Sequence, residues 1–176
     1  MIALLVLALL AQMTYTNAQS FPQVRIEKSK RNFSSAAVDQ KIAEMQQKIK
    51  DPELAWMFGN CFPNTLDRTV QFSTKNGKPD TFVITGDIYA LWLRDCSAQV
   101  WPYMPFMKTD KPLQQLIGGV INRQVECVLI DPYANAFNFG KEGGEWMTDN
   151  TQMRPELHER KWDIDGLCYV IRGSHM

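Results

Sequence analysis

Two short segments carry side chains suited to holding a neutral, hydroxyl-bearing ligand. In Trp92-Leu93-Arg94-Asp95 an indole offers an apolar wall, a guanidinium offers a fork of donors, and a carboxylate offers acceptor oxygens. In Lys161-Trp162-Asp163-Ile164-Asp165 a second indole stands among one cation and two carboxylates. A third group, Asp131, Asn135 and Asn138, shares a stretch with Tyr133 and Phe137. Each has a structural reading beside the functional one. Arg94 and Asp95 can form an ion pair, with Asp95 capping a helix from Cys96 and Trp92 in the core. Asp131 before Pro132 can start a turn. Asp163 and Asp165, two residues apart, share a face only if that segment is extended, and a first-turn Asp also stabilises a helix dipole.

Metal chemistry has little to stand on. His158 and His175 are the two histidines, with no H-E-x-x-H. His158, with no ligand partner nearby, is expected to be exposed. Cys61, Cys96, Cys127 and Cys168 form no C-x-x-C pair; they allow three disulfide pairings, and buried free thiols are the favoured state. No cofactor is expected. Lys+Arg 19 against Asp+Glu 19 leaves no basic excess, so no nucleic-acid or anionic-lipid footprint is expected. Hydrophobic content of 45% suits a folded chain, and aromatic content of 11% fits either the handling of uncharged ligands or a large core.

The elements around these residues follow from periodicity. Ile2–Ala11 is a ten-residue apolar run, too short to span a bilayer and of signal-peptide length. With Thr16-Asn17-Ala18 behind it, residues 1–18 are expected to be a signal peptide cleaved before Gln19, giving an exported chain without a membrane anchor. Gln19 to Ser35 reads as an extended arm. Ser35 caps a helix with Val38, Ile42, Met45 and Ile49 on one face. Asp51-Pro52 starts a second helix, Glu53 to Asn60. Thr69–Phe72 and Thr81–Thr85 form a hairpin about Asn76-Gly77. A helix is expected from Ala90 until Pro102 and Pro105, with Trp56 and Trp101 in the core. The widest apolar stripe runs from Leu113 to Leu129, expected to be buried between helices, and ends at Asp131-Pro132. Residues 133–160 lack periodicity and read as a functional loop. Asp163 to Ile171 begins another buried helix; the Gly173–Met176 tail reads equally as a tag remnant or as native sequence and carries no functional argument.

These helices have too few partners to cover their stripes, so the chain reads as the front of a larger helical domain. Its motifs point the same way. Asp51-Pro52-Glu53-Leu54-Ala55-Trp56, Asn60 to Asp67, Thr81 to Ile88, Trp92 to Asp95, Ser97 to Tyr103, Ile130 to Asn138, and Arg160 to Asp165 with Leu167-Cys168-Tyr169 resemble, in order, glycoside hydrolase family 125. The resemblance implies a mainly α fold, the N-terminal part of an (α/α)6 barrel over residues 19–176 with a small hairpin near 69–85. It implies inverting, metal-independent removal of terminal α-1,6-linked mannose from glycans. Similar W-x-R-D segments grip the terminal sugar in related barrels, so Trp92, Arg94, Asp95, Asp131, Asn135, Asn138, Lys161, Asp163 and Asp165 are the expected substrate contacts. Inverting hydrolysis needs two carboxyl groups about 6.5–9.5 Å apart; the general acid and base are expected beyond Met176. A carbohydrate-binding remnant, or a non-functional fragment, is the alternative.

Overall fold

The computed structural model describes residues 21–175. The signal-peptide expectation, residues 1–18, lies outside them. The arm from Phe21 forms no strand. It is fastened by Arg25, whose guanidinium donates to Asp67 at 2.7 Å and pairs with Asp39 at 2.8 Å.

Helix α1 (Ala36–Lys48) starts where the sequence signals it: the Ser35 hydroxyl accepts the Val38 N–H. Helix α2 (Pro52–Cys61) is capped by Asp51, whose carboxylate accepts from the N–H groups of Glu53 and Leu54. The two helices pack together, Gly59 lying against Gln46. Strands β1 (Val70–Lys75) and β2 (Lys78–Val83) form the expected hairpin, extended to the turn. Asn76 and Gly77 both have positive φ, 53° and 75°, the conformation a tight two-residue hairpin turn requires.

The chain departs from expectation after residue 90. Leu91–Trp92 is strand β3, and helix α3 (Leu93–Val100) follows with no intervening loop. Pro102 and Pro105 end the α-helix but not the coil, which tightens into a 3-10 segment over Trp101–Lys108. Helix α4 (Lys111–Ile130) begins under the Asp110 cap. Its stripe of Leu113, Leu116, Ile117 and Val120 is fully buried, but strand β2 covers much of it rather than neighbouring helices alone. The approach is close at Gly119, where an added Cβ would lie 2.4 Å from Thr81 Oγ1 and 2.9 Å from backbone. The Thr81 hydroxyl donates to the Leu116 carbonyl across this contact.

Residues 133–160 are not structureless. Ala136–Phe137 is β4 and Leu157–Glu159 is β5, and with β3 they form a three-stranded antiparallel sheet in the order β3-β4-β5. Helix α5 (Ile164–Ser174) closes the described chain and packs on α3 and α4. Coverage is uneven. Val38, Ile42 and the first half of the α4 stripe are buried, whereas Val125, Ile164, Ile171 and Leu129 stand out to solvent, Leu129 at 80%. Trp56 and Trp101 are half-buried; Trp56 stacks on Phe21. The four cysteines are free thiols: Cys96 and Cys127 are buried as expected, but Cys61 and Cys168 are exposed.

Candidate active site

The small sheet feeds the first turns of two helices to one place. Strand β3 delivers Arg94 and Asp95 into the first turn of α3, and the chain leaving β5 delivers Asp163 and Asp165 to the start of α5. The two helices pack side by side, with Gly166 of α5 beside Leu93. Arg94 Nη1 then reaches Asp165 Oδ2 at 2.6 Å, joining segments 71 residues apart. This hydrogen bond and charge lift the Arg94 pKa above its ordinary value.

The expected Arg94–Asp95 pair is a loose contact of 3.9 Å. Helix α3 begins at Leu93, so Asp95 stands inside its first turn instead of capping it, and no side-chain cap hydrogen bond closes the helix start. Asp163 occupies the N-cap position of α5, yet its side chain accepts no capping hydrogen bond. The side chains of Arg94, Asp95 and Asp165 are 46, 37 and 44% exposed. They form an open, half-wetted group of one cation and carboxylates, and Trp162 in the same chain segment as Asp163 is exposed.

Asn135 is the bracket between the two segments. Its backbone carbonyl accepts the Leu93 N–H at 3.1 Å, and its side-chain oxygen accepts the Lys161 N–H at 2.9 Å. Its amide nitrogen donates to Glu159 at 2.5 Å. The polar atoms of Asn135 are therefore engaged with the protein. Asn138 is engaged more fully: its amide donates to the carbonyls of Gly143, Pro155 and Leu157. Asp131, buried, accepts from Arg160 at 2.8 Å and from the Tyr133 N–H at 2.8 Å. Burial alone would raise its pKa, but the Arg160 bond, the Tyr133 N–H and the Arg160 and Arg154 charges outweigh it and hold the carboxyl below its ordinary value. The turn reading thus describes Asp131, and all three residues are tied by hydrogen bonds to the sheet and its loops.

His158 and Glu159 were missed by sequence reasoning. The β4–β5 register shifts between Ala136↔Glu159 and Phe137↔Leu157, so His158 is an extra residue, a β-bulge. His158 was expected to be exposed; it is buried, its ring edge-on to Trp92 at 5.1 Å between centroids. Because the Asn138 amide nitrogen is committed to three carbonyls, its oxygen faces His158 Nδ1 at 3.2 Å, which places a proton on Nδ1. Nε2 is buried without a partner among the described residues. Glu159 accepts from Trp92 Nε1 at 3.4 Å and from Lys161 Nζ at 2.5 Å. Burial opposes its ionisation, but the hydrogen bonds from Lys161 and Asn135 outweigh it and keep the Glu159 pKa below its ordinary value. Trp146 lies over the Lys161 ammonium at 5.5 Å.

What the site resembles emerges from three comparisons. A solved structure of a metal-independent alpha mannosidase from Streptococcus pneumoniae, a non-productive substrate complex with alpha-1,6-mannobiose, aligns with TM-score 0.73 at 40% identity. The match covers 81% of this chain and 33% of that one. The Meiotically up-regulated gene 157 protein of Schizosaccharomyces pombe is 37% identical over 169 residues, 91% of this chain and 33% of that protein. The chain therefore spans about a third of the length of each. The model of the family described as metal-independent alpha-mannosidase (GH125) matches residues 51–176, and the chain belongs to that family.

Proposed function

We propose that this chain is the sugar-gripping part of an exported, inverting exo-α-1,6-mannosidase built on an (α/α)6 barrel. The observation that carries the reading is the meeting of Trp92-Leu93-Arg94-Asp95 with Asp163-Ile164-Asp165 at one exposed end of α3 and α5, through the 2.6 Å Arg94–Asp165 contact. In this reading Arg94 donates to hydroxyls of the terminal mannose, while Asp95, Asp163 and Asp165 accept from them. Lys161 adds a donor, and the Trp92 indole faces the C–H side of the ring. Asp131, Asn135 and Asn138 support these groups rather than touch sugar. The likeness to the mannobiose complex supports the substrate class.

The chemistry then divides. The residues here bind and orient the glycone, so that the scissile bond lies at a fixed distance from two carboxyl groups. Those two groups come from the part of the family's length that this chain does not span. One protonates the leaving oxygen, and the other activates a water on the opposite face of the ring.

The test is proton NMR of the full-length protein acting on α-1,6-mannobiose in the presence of a chelator. First-formed β-mannose at an undiminished rate is expected. First-formed α-mannose would refute inversion, and loss of rate restored by added metal would refute metal independence. Binding of mannobiose without turnover would favour the carbohydrate-binding alternative. Export is tested by intact mass: the secreted protein should begin at Gln19, and a cytoplasmic product retaining Met1 would exclude it.

A further inference from the structure

The row Trp92–Ala136–Glu159 runs straight across the three-stranded sheet, each residue paired with the next. Trp92 and Glu159 are two strands apart, about 10 Å between backbones at ordinary strand spacing. The side chain between them is that of Ala136, fully buried and too small to separate them. The indole and the carboxylate therefore close over Ala136, and Trp92 Nε1 meets Glu159 Oε2 at 3.4 Å. The bulge adds a second grip. In a regular strand residues 158 and 159 would face opposite sides; the extra residue lets His158 lie against the indole while Glu159 holds its N–H. The other Glu159 oxygen fixes Lys161 Nζ at 2.5 Å, and Asn135 braces the carboxylate from β4's end.

We propose that Glu159 is a positioning residue, one carboxylate that sets both the Trp92 indole and the Lys161 ammonium where they meet the sugar. This rests on the sugar-gripping reading above and adds to it a residue that does not touch the ligand. Its role is geometric: a wall and a donor are held in register by one group. A ring free to turn about its side-chain torsions would misplace the glycone, and misplacement by about 1 Å costs about 100-fold in rate.

The test is steady-state kinetics on α-1,6-mannobiose with the full-length protein carrying Glu159→Ala, Glu159→Gln, Trp92→Phe, or Glu159→Ala with Trp92→Phe. Arg94→Ala is measured alongside. Glu159→Ala is expected to lower kcat/KM about 10- to 100-fold. Glu159→Gln, which still offers the indole an acceptor, should recover part of that loss. Trp92→Phe keeps a ring and removes the donor, so it should also lower kcat/KM, and the double variant should be within about threefold of the worse single one. Unchanged kcat/KM in Trp92→Phe, no recovery in Glu159→Gln, or losses that multiply in the double variant, would overturn the proposal. Trp92→Phe and Glu159→Gln decide the matter if Glu159→Ala does not fold. A loss in Arg94→Ala with none in Glu159→Ala removes the positioning role alone. No loss in Arg94→Ala removes the sugar-gripping reading, and this proposal with it.

Discussion

Replacing Arg94 by alanine should separate a ligand-holding arginine from a structural one, because the two roles predict opposite magnitudes. In the free protein the Arg94–Asp165 pair is nearly half exposed on both sides. Water screens such a pair, and its contribution to stability is about 0–1 kcal/mol. Its loss should therefore move the melting temperature by only a few degrees. With a sugar seated over it the same guanidinium is covered, and truncation removes charge-assisted hydrogen bonds and leaves Asp165 and Asp95 facing the ligand unpaired. Truncating one member of a buried, hydrogen-bonded charge pair costs about 2–5 kcal/mol. At about 1.4 kcal/mol per tenfold, that is about 30- to 4,000-fold in kcat/KM. The assay is mannobiose hydrolysis by the full-length protein, with a thermal melt of the same sample. A large drop in melting temperature with normal kcat/KM in the folded fraction would refute the reasoning. Arg94 would then be a strut between α3 and α5, and the sugar contacts would have to be sought elsewhere.

Other outcomes follow from the packing. Asp80 and Arg123 form a bidentate ion pair, each side chain 7% exposed, with the guanidinium against the rings of Phe82 and Phe139. Asp80→Ala should lower stability in chemical denaturation by about 3–5 kcal/mol, while replacing both partners with Leu and Met should cost far less. Asp131 is lowered on folding from its ordinary 3.8, so its contribution is complete above that value and is lost as pH falls through the lower folded one. Asp131→Asn should thus be less stable than the parent at pH 7, with the gap closing as denaturation is measured below about pH 4. Burial pushes the Cys127 thiol up to about 12 and the Cys96 thiol upward as well. A thiol reagent at neutral pH should leave both unmodified until the protein unfolds; their rapid labelling in native protein would contradict the packing.

Legibility in the sequence followed the range of the interactions. Local signals were read correctly: the Ser35 and Asp51 helix starts, the Asn76-Gly77 turn, and the α4 stripe all depend on residues a few positions apart. Trp92-Leu93-Arg94-Asp95 and Lys161 to Asp165 were visible as chemistry for the same reason. Their meeting was not, because the pairing of Arg94 with Asp165 is a product of helix packing across 71 residues. The β3-β4-β5 sheet escaped notice because two of its strands are two residues long, below any period, and the third is broken by a bulge. That bulge also hid His158 and Glu159, whose alternation is interrupted where it matters. The protein partners of Asp131, Asn135 and Asn138 were not legible, because a residue type does not say which neighbouring group satisfies it.

The two adjacent glycines of α4 offer opposite opportunities to an engineer. Gly119 is the point where helix and hairpin touch through their main chains, so position 119 is closed to any side chain. Gly118, one residue earlier, has open space where a Cβ would stand. A glycine inside a helix is about 1 kcal/mol less favourable than alanine. Thermostabilisation of this scaffold can therefore begin at Gly118→Ala without touching the ligand end. Any homologue or library variant that fills position 119 would have to lift the hairpin off the helix.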